Sequence, residues 1–64
     1  MWTTVFLAQD KTSATELKEL FLTNGIIVKI RPIVNKDNGE TTYEFYVPYA
    51  ELNLALELII DYQE

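Results

Sequence analysis

The stretch Tyr49-Ala50-Glu51-Leu52-Asn53-Leu54-Ala55-Leu56-Glu57-Leu58-Ile59-Ile60-Asp61-Tyr62 decides how the rest of the chain must be arranged. Leu52, Leu54, Ala55, Leu56, Leu58, Ile59, Ile60 and Tyr62 wrap most of a helix. Only Asn53, Glu57 and Asp61, spaced four apart, form a clean polar row. At ~100° per residue the apolar arc spans roughly 240°, against the ~100° stripe of a helix resting on one core. Part of that surplus meets another helix, and the rest asks for a partner. Pro48 suits the first turn of this helix, where its missing N–H leaves no hydrogen bond unmade.

Upstream, Thr41 to Val47 reads as a strand, and so does Ile26 to Val34. Between them Asn35-Lys36-Asp37-Asn38-Gly39 is dense in turn formers, so the two strands form an antiparallel hairpin with a loop of about five residues. Pro32 cannot donate to a ladder, which places the second strand at a sheet edge. Ser13-Ala14-Thr15-Glu16 has capping-box spacing and opens a helix on which Ala14, Leu17, Leu20 and Phe21 recur. Asn24-Gly25 closes it, because glycine enters the left-handed conformation of a C-terminal cap without steric cost. Trp2 to Ala8, rich in aromatic and β-branched residues, is a first strand.

The order is strand, helix, strand, strand, helix. Short, right-handed connections favour an α+β domain over residues 1–64. Its expected form is a ferredoxin-like βαββα unit, with sheet order 1-3-2, both helices on one face and the final strand missing. Alternation puts Val5, Leu7, Val28, Ile30, Tyr43, Phe45 and Val47 toward the helices. Trp2, Thr4, Phe6, Ile27, Lys29, Arg31, Glu44 and Tyr46 then line the open face. Strand one is apolar on both sides, so a one-residue slip reverses its facing.

Composition narrows the function. A chain of 64 residues buries a thin core. With no cysteine and no histidine, disulfides, thiolate zinc sites and the usual general base are lacking. No segment approaches the ~20 apolar residues a bilayer requires, and the opening residues do not resemble a signal peptide, so a cytoplasmic protein is expected. A net charge of −5 repels phosphate backbones.

The run Ala14-Thr15-Glu16-Leu17-Lys18-Glu19-Leu20, then Asn24-Gly25-Ile26-Ile27-Val28, then Tyr46-Val47-Pro48 before an acidic helix start resembles a bacterial family. Its members are small domains assigned to prokaryotic signal transduction, with undefined function. The resemblance implies a ferredoxin-like fold related to the trunk of PII signalling proteins. The long signalling loop and nucleotide-cradling glycines of PII proteins are missing here, so effector binding does not carry over.

Glu16, Glu19, Glu57 and Asp61 fall on solvated helix faces rather than in the recessed site that acid–base chemistry needs. Asp37-Asn38-Gly39-Glu40 places its glycine wrongly for a calcium loop and reads as a turn. The expectation is therefore no enzyme, no catalytic residue, no metal and no cofactor. Aromatics on central strands beside Lys29 and Arg31 match platforms that stack single-stranded RNA, but the recognition consensus is absent. An apolar open face more often marks a protein interface.

Strand one also lacks the lysine, proline or charge that guards an exposed edge. The expected function is a small regulatory or protein-interaction module, forming a homodimer or docking another protein. Its interface would comprise Trp2, Thr4, Phe6, Ile27, Lys29, Arg31, Tyr46, Leu54 and Leu58. The alternative is a small-ligand sensor with its pocket between subunits.

Overall fold

The structure is a computed structural model and describes residues 1–63. The chain forms β1 (Trp2–Ala8), α1 (Lys11–Thr23), β2 (Lys29–Val34), β3 (Thr41–Pro48), a 3-10 turn (Tyr49–Glu51) and α2 (Leu52–Gln63). The strands make one antiparallel sheet in the order β1-β3-β2. This is the βαββα arrangement of a ferredoxin-like, α+β fold. As Pro32 requires, β2 lies at an edge.

One apolar cluster joins Leu17 and Phe21 of α1, Ala55 and Ile59 of α2, and Phe45 and Val47 of β3. Phe45 and Val47 are alternate residues on the central strand, so both helices cover the same face of the sheet. Phe45 sits at the centre, edge-on to Phe21 at 6.1 Å and to Phe6 at 6.2 Å between centroids. Such T-shaped pairs add about 0.5–1.5 kcal/mol beyond the area they bury.

Helix α1 starts two residues before Ser13, because Asp10 and not Ser13 is its N-cap. Asp10 is extended (φ −146°, ψ 164°), and its side chain accepts the Ser13 N–H at 2.7 Å. The Ser13 hydroxyl donates back to the same carboxylate at 3.2 Å. A carboxylate there also faces the positive end of the helix dipole.

The C-terminus of α1 is a Schellman motif. Ile26 N–H donates to Phe21 O at 2.9 Å, and Gly25 N–H to Leu22 O at 3.1 Å. Gly25 has φ +76°, which a side chain would strain. Ile26 and Phe21 are both fully buried and supply the apolar contact that accompanies this cap. Ile26 therefore belongs to the helix end, and β2 begins three residues later, at Lys29.

The largest departure from the alternation of strand one is a β-bulge. Thr4 pairs with Tyr46 and Phe6 with Phe45, leaving Val5 as an extra residue. Val5 and Phe6 both pack against the core. Past the bulge the strand has changed face. Phe6 and Ala8 point to the helices, and Leu7 is half exposed on the other side. The expected facing of Phe6 and Leu7 is thus reversed, while Trp2 and Thr4 keep theirs.

Candidate interaction surface

The open face is built from the residues that alternate with the core positions. The register brings Trp2, Thr4 and Leu7 of β1, Glu44 and Tyr46 of β3, and Lys29, Arg31 and Ile33 of β2 onto it. Trp2 is 40% exposed, Leu7 49% and Ile33 38%. These apolar residues surround a polar centre.

Glu44 is that centre. Its carboxylate accepts from the Thr4 hydroxyl at 3.1 Å and from Arg31 Nη2 at 3.2 Å, and the Tyr46 hydroxyl donates to it as well. The phenol of Tyr46 is the main influence holding the Glu44 carboxyl below its usual value. Partial desolvation works against this, while Thr4 and Arg31 add to the lowering. The same hydrogen bond raises the phenol of Tyr46 above its ordinary value. Thr4 of β1 and Arg31 of β2 thus reach the same carboxylate from the two strands that flank β3, while Tyr46 bonds it from its own strand.

Two cations lie over aromatic rings beside this cluster. Lys29 Nζ sits 4.3 Å from the centre of Trp2, and the Arg31 guanidinium carbon 6.0 Å from that of Tyr46. Such contacts contribute about 0.5–1 kcal/mol at exposed sites. Trp2, Lys29, Ile30, Arg31 and Tyr46 line a shallow, open-sided hollow of about 430 Å³.

Of the residues expected at an interface, Trp2, Thr4, Lys29, Arg31 and Tyr46 are brought together on this face. Phe6 is not; it packs on the opposite face of the sheet, so the base-stacking platform loses that ring. Ile27 is 61% exposed but lies in the connection before β2. Leu58 is half-buried against the core, and Leu54, 45% exposed, lies elsewhere on α2. Sequence reasoning put Glu44 on the open face but did not name Leu7, Leu56 or Ile60 at an interface. The bulge hides the first, while Leu56 and Ile60 belong to the surplus apolar arc, whose orientation depends on where α1 lies.

The edges of the sheet complete the surface. Among the described residues no strand pairs with the outer edge of β1. The N-terminal end of β1 is tied to the end of β3, where Tyr49 N–H donates to Met1 O at 2.7 Å. Among the described residues no group of three or more carboxylates could hold a metal ion, and no helix is long and apolar enough to cross a membrane. No protein-family model, curated protein or solved structure matches the chain.

Proposed function

We propose that the protein is a self-associating interaction module in which the outer edge of β1 pairs with the same edge of a second copy. The observation that carries this reading is the β1 edge itself. It has no strand beside it among the described residues, and Trp2–Ala8 contains neither charge nor proline. Unpaired N–H and C=O groups on such an edge are a template for another strand.

A two-fold axis perpendicular to the sheet would join the copies antiparallel and make one six-stranded sheet. This contact is isologous and closes at two subunits. Both open faces then lie on one side, with the Trp2 and Leu7 side chains beside the seam. A regulatory role exercised through that contact is the reading supported by the resemblance to the bacterial signalling family.

Sedimentation at micromolar concentration is the test. The native chain should have twice the monomer mass. Leu7→Lys places a charge on the exposed side of the edge strand and should give monomers with an unchanged circular dichroism spectrum. A native chain that sediments as a monomer would overturn the proposal.

A further inference from the structure

We infer that the second copy is also held by α2, through the flank carrying Leu56 and Ile60. This rests on the β1-edge reading and identifies which part of the surplus apolar helix surface the partner covers. Taking ~100° per residue from the buried line of Ala55 and Ile59, Leu58 and Tyr62 fall to one side and Leu56 and Ile60 to the other. The Tyr62 hydroxyl donates to Glu16 of α1 at 2.9 Å. The Leu58–Tyr62 flank therefore faces α1.

The order of the helices across the sheet then places the other flank. Helix α1 contacts β1 and β3 alike, and a hollow lined by its Lys11, Thr15 and Lys18 together with Tyr43 of β3 and Ile30 and Pro32 of β2 opens on its β2 side. On the other side of α1 from that hollow, α2 packs on α1 and on the sheet, where it contacts β1 more than β3. Leu56 and Ile60 consequently overhang the outer edge of β1. They are 40% and 56% exposed, while Asn53, Glu57 and Asp61 point up and away.

Area shows why the helix is needed. Seven strand residues at ~3.4 Å each, one strand spacing of ~4.8 Å wide, give a contact of only ~115 Å² per copy. The bulge interrupts even that. A specific interface buries at least ~1,000 Å² in total, or ~500 Å² per copy. Side chains above and below the paired edge must supply the difference, and above it stand Leu56 and Ile60.

The geometry also closes. With α2 over the gap between β1 and β3, the two-fold axis brings α2 and its copy two strand spacings apart, ~10 Å. That is the separation of packed helices, about 8–10 Å. The two helices run antiparallel with their apolar flanks in contact.

Sedimentation and disulfide trapping test this together. Ile60→Glu should weaken dimerisation on the order of thirtyfold, as loss of an interface anchor does. Leu54→Glu, at similar exposure on the opposite flank, should leave the dimer intact. The chain has no cysteine, so single-cysteine variants report contacts directly. Leu56→Cys or Ile60→Cys should form a disulfide-linked dimer on mild oxidation, and Leu54→Cys should not, whether or not the glutamate variant folds. A native dimer that persists in Ile60→Glu, or one in which Leu54→Cys cross-links as fast as the other two, overturns the α2 contact and leaves β1 pairing standing. A native monomer removes both.

Discussion

Along its β2 edge the sheet carries Lys29, Arg31 and Pro32, whereas along its β1 edge Trp2–Ala8 holds no charge and no proline. Both strands are terminal members of the same small sheet and expose the same backbone groups. The first edge is defended by side-chain chemistry, since cations and a missing N–H discourage another strand. The second has only the bulge at Val5, a backbone device that sharpens the local twist and breaks the run of regular pairing. Side-chain protection covers β2 from Lys29 to Pro32, while a bulge shortens the β1 edge without closing it. An edge of the second kind admits a partner provided that neighbouring side chains widen the contact.

The largest effect that sharpens this comparison lies within β1. Phe6→Asp should abolish folding, because the ring packs on Phe45 in a chain with a thin core. Losing a buried aromatic costs about 3–5 kcal/mol, before the cost of an unpaired charge. Leu7→Asp, one residue along, should remain folded by circular dichroism. Equal damage from the two substitutions would mean that the bulge does not reverse the strand.

A smaller change tests the β2 guard. Replacing Lys29 by Thr and Pro32 by Val opens a second edge while keeping the Arg31–Glu44 ion pair. If β1 pairs as proposed, two pairing edges no longer close the assembly, and light scattering should show a mass that grows with concentration beyond the dimer. A mass that stays at the dimer would show that these two residues do not guard the edge.

The smallest expected effect concerns the open face between the edges. The folded Glu44 carboxyl lies below its usual value, so its contribution to stability is present above the unfolded value and disappears as pH falls through the folded one. Tyr46 is shifted upward, so its contribution is present below the ordinary phenol range and disappears as pH rises through the folded value. Both groups are close to solvent, and the change in stability should be slight. Tyr46→Phe should move the Glu44 titration, followed by carbon NMR, upward toward the ordinary carboxylate value. An unmoved titration would mean that the phenol does not bond the carboxylate in solution.

Local chemistry determined much of this protein. Asn24-Gly25 ended a helix because only a residue free to adopt positive φ completes that cap. Pro32 assigned its strand to an edge because it lacks a donor, and the apolar content of the last helix announced more greasy surface than the core would use. Each of these follows from one residue or one periodicity, so each was readable along the chain. The tertiary structure decided what depends on two segments at once. Asp10 became the helix cap only once the backbone entered α1 in extended form. Phe6 exchanged faces with Leu7 because packing both Val5 and Phe6 on the core was compatible with an extra residue opposite β3, a choice that alternation in a doubly apolar strand does not make. The free flank of α2 was likewise set by where α1 lies, since a helix that is apolar over most of its circumference carries no internal mark of which side its neighbour will cover.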